Sequence, residues 1–202
     1  MPQRMDDQAL AAAAQQGNLD AFNQLVIRYQ TLAYHVAYRI LSDADAAADA
    51  TQDAFLRAYK AIGQYYGGSF KAWILRIVTN TCYDQLRAKQ RRPISSLEAL
   101  LVTEPAPGPS FIDQAESPEA YAVRQELSRA IQAGINALPA DQRVALTLCD
   151  VAGMNYQEIA EATRVSLGTV KSRISRARTK LRDYLLTQQE LLPAQYRLRD
   201  DT

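Results

Sequence analysis

Between Tyr156 and Leu181 the sequence YQEIAEATRVSLGTVKSRISRARTKL carries two runs of helical apolar spacing with only three residues, Arg164, Val165 and Ser166, to turn between them. So short a break predicts two helices crossing closely as a helix-turn-helix. Asn155 is a good N-cap for the first helix, whose small Ala160 lets a second helix approach. Val170, Ile174, Ala177 and Leu181 share one face of the second helix. Lys171, Ser172, Arg173, Ser175, Arg176, Arg178, Lys180 and Arg182 occupy the rest, and from Arg164 to Arg182 there are seven cations and no acid.

A helix of this kind suits a DNA major groove, where arginine bonds guanine bidentately and lysine or serine holds phosphates. Charge by itself favours a plain solvated basic face. The early Gly168, the small Ala160 and the apolar register turn the reading toward DNA.

The rest of the chain bounds that reading. Its 202 residues, 48% of them hydrophobic, suffice for one ordinary domain or two small ones. Net charge is only +1, so the cations are local rather than a nonspecific basic tail. Cys82, Cys149 and the single His35 are too few and too scattered for a zinc site and read as core residues, with a disulfide improbable in a reducing cytosol. No cofactor or metal is expected. No apolar run of membrane-spanning length and no leader-like start is present, which predicts a cytoplasmic protein without direct membrane insertion.

The remaining pattern is helical almost throughout and predicts an all-α fold. A short helix near Asp6 to Gln16 stops at Gly17. Asn18 or Asp20 caps a long helix with Phe22, Leu25, Val26, Tyr29, Leu32, Ala33, Val36, Ala37, Ile40 and Leu41 in one stripe. A third, about Asp45 to Ile62, buries Ala50, Ala54, Phe55, Ala58 and Tyr59 and leaves Asp49, Gln52, Asp53 and Arg57 outside. After the break GQYYGGS, a fourth runs from Phe70 to about Gln90. It turns Phe70, Trp73, Ile74, Ile77, Val78 and Thr81 inward, and Lys71, Arg76, Asn80, Tyr83 and Arg87 outward. Aromatics interleaved with cations suit single-stranded DNA, where stacking is worth about 1–3 kcal/mol per base. Ordinary partly buried tyrosines are the plainer alternative.

Residues 93–118 contain five prolines and four acids but no cation. They read as a flexible acidic linker with a short helical turn around Leu97 to Val102. This divides the chain into 1–92, the linker, a second helical domain over 119–187, and a tail over 188–202.

The order of DAFNQLVIRYQ, DATQDAFLRAYKAI, FKAWILRIVTNTCYDQLR, ALPADQRVALTLCDVAGMNYQEIAEA and VSLGTVKSRISRARTKLR resembles the group IV, extracytoplasmic-function sigma factors of bacterial RNA polymerase, of the sigma-E and sigma-W type. The resemblance covers about Asp20 to Leu185. It implies that 1–92 is the region-2 module and 119–187 the region-4 module of a sigma factor used in a stress or envelope response.

By the same resemblance, Asp49, Gln52, Asp53, Phe55 and Arg57 dock on the beta-prime clamp helices of polymerase core, although Ala46 and Ala48 stand where the family often has acids. Tyr65, Tyr66, Lys71, Trp73, Arg76, Asn80, Tyr83 and Arg87 are implied to read the minus-ten element and capture a flipped base. Here Tyr65, Tyr66 and Gly67 replace the family's frequent Phe-Arg-Gly, in a loop one residue shorter. Thr169, Lys171, Ser172, Arg173, Ser175, Arg176 and Arg178 are implied to read the minus-thirty-five element. The linker resembles the segment that threads the polymerase toward RNA exit. The implied partners are core polymerase, including the beta flap, promoter DNA and an anti-sigma factor, and chemistry stays with the polymerase. A two-component or quorum-type regulator shares such a C-terminal motif but requires a phosphoacceptor or ligand-binding domain with strands ahead of it. An enzyme requires a catalytic constellation that these residues do not offer.

Overall fold

A computed structural model describes residues 6–91 and 117–187. Among them lie eight α-helices and no strand. The chain runs through α1 (Asp7–Gln15), α2 (Leu19–Leu41), α3 (Ala44–Lys60) and α4 (Phe70–Arg91), then α5 (Pro118–Asn136), α6 (Ala140–Leu146), α7 (Tyr156–Thr163) and α8 (Leu167–Thr187). A single 3₁₀ turn, Ile62–Gln64, follows α3, and a π-helical turn, Thr147–Val151, follows α6. Residues 93–116 of the expected linker, with its turn at Leu97 to Val102, and the tail over 188–202 lie outside the described residues.

Helix starts are written locally, since each leaves backbone N–H groups that a short polar side chain can accept. Asp6, Asn18 and Asp43 accept from the N–H groups of Ala9, Ala21 and Ala46 at 2.7, 3.0 and 2.9 Å. Ser69, Ser117 and Ser166 do the same for α4, α5 and α8. At α7 the cap is reciprocal. Asn155 Oδ1 accepts from the Glu158 N–H at 2.9 Å, while the Glu158 carboxylate accepts from the Asn155 N–H at 2.8 Å, a capping box. Ser117 and Pro118 open α5 one residue before the expected domain start.

The first four helices pack around Leu10, Leu25, Val36, Ile40, Phe70, Ile74 and Val78, all essentially inaccessible. Helix α3 meets them through Ala47, Ala50, Ala54 and Ala58, whose three-four spacing and small size let its backbone come close. One expectation fails here: Tyr59 is 44% exposed, its ring edge-on to Phe22 at 5.1 Å rather than inside the core. The reason is position, because Tyr59 lies one turn past Phe55 and lines the open groove between α2 and α3 instead of the closed alanine seam.

In the last four helices, Val170, Ile174 and Ala177 of α8 are fully buried. Leu181 joins them beside Ile135, Leu138 and Leu146. Cys82 is buried in the core, while Cys149 is half-buried, packs against the edge of the same core and touches the Arg178 guanidinium at 3.6 Å.

The two helical groups share one core. Val144, Leu148, Met154 and Ile159 continue the cluster built on α1–α4, with α4 against α7 and α2 against α6 and the π-helical turn. Polar bonds edge the seam. Arg143 donates to the Ile40 carbonyl at 2.9 Å, Arg39 to Gln132 Oε1 at 2.7 Å, and Lys71 Nζ to the Ala152 and Gly153 carbonyls at 3.0 and 3.4 Å. Ser42 bonds Asn136, and Gln132 donates to both.

Candidate nucleic-acid interface

The outer face of α3 presents Asp49, Gln52, Asp53 and Arg57 to solvent. Arg57 pairs with Asp84 of α4 at 3.1 Å, which ties that face to the next helix. Phe55 points the other way, 7% exposed, and forms the floor of a groove of about 890 Å³ between α2 and α3. Phe22, Val26 and Tyr34 line the same groove, as do Leu56 and Tyr59, which are exposed. An acidic rim beside an apolar trough is a surface shaped for another protein.

The loop after the 3₁₀ turn separates the two tyrosines that sequence reasoning treated together. Tyr65 is 6% exposed and donates its hydroxyl to the Gly68 carbonyl at 2.7 Å. Its ring packs on Phe70 and Trp73 at 5.6 and 5.4 Å. Tyr66 is 95% exposed. Gly67 and Gly68, at φ +94 and +85, let the chain double back so that this bond closes. Tyr65 therefore shapes the loop, and Tyr66 is the ring available for stacking.

A cleft of about 330 Å³ opens beside this loop, lined by Tyr65, Tyr66, Trp73 and Arg76 on one side and by Glu158, Glu161 and Ala162 of α7 on the other. Asn80 and Tyr83 are half-buried and Arg87 is exposed. Burial raises the Tyr83 phenol above its usual range, with Arg173 and Asp141 of the second helical group close enough to act on it. Lys71 does not face solvent freely, because its ammonium is taken by the two carbonyls that end the π-helical turn.

Helix α8 is divided in the same way. Lys171, Ser175 and Arg176 are exposed together, opposite the buried Val170 and Ile174 face. Ser172 bonds the Thr169 carbonyl at 3.0 Å, and Thr169 bonds Ser166 at the cap, so both also serve the helix start. Arg173 is paired with Asp141 at 3.0 Å and is half-buried. Arg178 grips Asp150 through two nitrogens, at 2.5 and 3.2 Å. That bond raises the guanidinium pKa and holds the Asp150 carboxyl below the usual carboxylate range. Lys171, Arg178, Arg182, Ser175, Thr179 and Tyr156 surround a polar hollow of about 430 Å³ beside the α7 start.

Sequence reasoning missed Asp141, Asp150, Glu158 and Glu161. Only Glu158 carried a local signal, its three-residue spacing from Asn155. The others act across the fold and leave no mark on neighbouring residues.

Two family models match this architecture: Sigma-70 region 2 over residues 25–92 and Sigma-70 region 4 over residues 128–181. The chain is 39% identical to the RNA polymerase sigma-H factor of Pseudomonas aeruginosa over 85% of its own length and 90% of that protein. It is 36% identical to the ECF RNA polymerase sigma-E factor of Escherichia coli over 88% and 93%. Among solved structures, CnrH in complex with the cytosolic domain of CnrY aligns with a TM-score of 0.64 at 26% identity, covering 89% of this chain and 96% of that one. The sigma factor RpoE of Bartonella quintana, in complex with the anti-sigma factor NepR, gives 0.64 and 26%, covering 83% and 98%.

Helical regions 2 and 4 on one chain define the class, a sigma-70-type initiation factor. More narrowly, the chain belongs to the extracytoplasmic-function sigma factors. It binds RNA polymerase core, recognises minus-thirty-five and minus-ten promoter elements and promotes DNA melting for transcription initiation.

Proposed function

We propose the following division of labour. The acidic face of α3, with Asp49, Gln52, Asp53 and Arg57, docks on the beta-prime clamp helices, and Phe55 supports it from below. The loop and α4 read the minus-ten strand, with Tyr66 and Trp73 stacking, Arg76 and Arg87 following the backbone, and Asn80 selecting a base. Helix α8 reads the minus-thirty-five duplex through Lys171, Ser175 and Arg176, with Arg173 and Arg178 positioning the helix through Asp141 and Asp150.

The observation that carries this reading is the exposure of Lys171, Ser175 and Arg176 on one face of a helix whose opposite face is wholly buried. A rigid support and an open cationic face are what base-edge readout requires. The chain is non-catalytic in this scheme and acts in the cytoplasm, where the polymerase supplies the chemistry. An anti-sigma factor is the proposed regulator, as the partners of the solved relatives suggest.

Run-off transcription with core polymerase and a promoter library tests the scheme. Transcripts are expected only when this chain is added. Lys171→Ala loses preference at the upstream element and Asn80→Ala at the downstream one. A chain that binds DNA yet never directs initiation by core enzyme would overturn the assignment of α3 and α4.

A further inference from the structure

Helix α1 lies ahead of the region 2 match, which begins at residue 25, and carries none of the residues assigned so far to DNA or polymerase. It is nevertheless fastened at both ends. Leu10, Ala11 and Ala14 are buried, and Asp7 in the first turn takes both the Arg28 guanidinium and the Tyr29 hydroxyl of α2. At the last residue the Gln15 side chain reaches the base of the minus-ten loop. Its Nε2 donates to the Ile62 carbonyl at 3.0 Å and to the Tyr65 carbonyl at 2.7 Å. A primary amide nitrogen carries two N–H bonds, and here each has its own acceptor. The two carbonyls bracket the end of the 3₁₀ turn, where the Tyr65 N–H itself bonds the Ile62 carbonyl at 3.1 Å.

The bond to Tyr65 bears on the reader. That carbonyl lies in the peptide plane shared with the Tyr66 N–H, so a donor that fixes the oxygen fixes the plane from which Tyr66 leaves the chain. Tyr66 is 95% exposed and takes its direction from the backbone rather than from packing. We propose that α1 is a brace for the minus-ten loop and that Gln15 is its positioning residue, holding the Tyr65–Tyr66 peptide so that the Tyr66 ring is presented to a base of the melted strand. The inference rests on the assignment of Tyr66 and its loop to minus-ten reading. Such a brace raises affinity by lowering the cost of ordering the loop on binding, without adding a contact. Gln15 touches no DNA in this scheme, so its loss weakens contacts to bases and spares those to phosphates.

The test uses the full chain in holoenzyme with core polymerase, on a promoter selected from a library with the parent protein. Two premelted forms of that promoter are compared, one with an intact non-template strand and one with abasic sites across its minus-ten positions. The ratio of the two affinities reports contacts to bases. Gln15→Met removes both donors at similar volume and without adding charge, at an exposed helix end where the core is untouched. It is expected to lower the ratio about fivefold, with binding to the abasic form and the urea midpoint little changed. Tyr66→Ala is expected to lower the ratio at least as much, and the double variant no further than Tyr66→Ala alone, because Gln15 acts through that ring. An undiminished ratio for Gln15→Met, or additive losses in the double variant, overturns the brace and leaves minus-ten reading by Tyr66 standing. If Tyr66→Ala leaves the ratio unchanged, the assignment of Tyr66 falls and the brace with it.

Discussion

Phe70 shows how one side chain serves both stability and site. Its ring meets those of Tyr29, Tyr65 and Trp73 at 5.6, 5.6 and 5.4 Å, so it supports from beneath two of the rings that line the cleft beside the loop. Phe70→Ala is expected to cost about 3–5 kcal/mol, measured as a fall in the urea midpoint. His35 sets a different dependence. Its folded pKa lies below 6.5, first because burial disfavours the cation and then because Arg39 is near. Between that folded value and 6.5 the unfolded chain binds more protons than the fold, so the histidine's contribution is full above 6.5 and falls as pH drops through the window. Thermal melts from neutral to mildly acidic pH are expected to show a shallower decline for His35→Gln than for the parent chain. Residue types were largely legible at this scale, as the burial of Val170, Ile174 and Ala177 shows. The difference between Tyr65 and Tyr66 was not, because it turns on a hydrogen bond closed by two left-handed glycines.

At the scale of elements, helix limits follow local chemistry and packing distances do not. Asn155 and Glu158 cap α7 reciprocally. Asn155→Ala is therefore expected to cost about 1 kcal/mol and to loosen the helix-turn-helix, visible as faster amide exchange in α7. Gly134 is a case the sequence disguises. A glycine inside α5 looks like a weak point, yet a Cβ there would lie 2.6 Å from Leu181 Cδ1 and 2.9 Å from Tyr184 Cδ1 of α8. Gly134→Val is expected to destabilise the chain by about 1–3 kcal/mol through overpacking, read as a lower Tm. Tyr59 is also decided by packing, since its face of α3 borders the open groove beside Phe22 and Phe55 where the helices do not close over it.

For the whole molecule, the shared core predicts cooperative behaviour. Since Val144, Leu148, Met154 and Ile159 continue the core of α1–α4, one unfolding transition is expected in urea, and Gln132→Arg is expected to separate it into two. Circular dichroism and tryptophan fluorescence check this together, since the single tryptophan, Trp73, lies on α4 and faces α7 across the cleft, whereas the helical signal comes from both groups. The sequence by itself determined the helices, their caps, the inward registers and the family motifs, because these depend on residues within a few positions of one another. Only tertiary structure decided which cations are open and which are engaged. Arg178 with Asp150, Arg173 with Asp141, and Lys71 with the Ala152 carbonyl are joined by the fold across distant positions in the chain. Periodicity records which side of a helix faces inward, but a charge finds its partner through the packing of whole helices, and that information is spread over the entire chain.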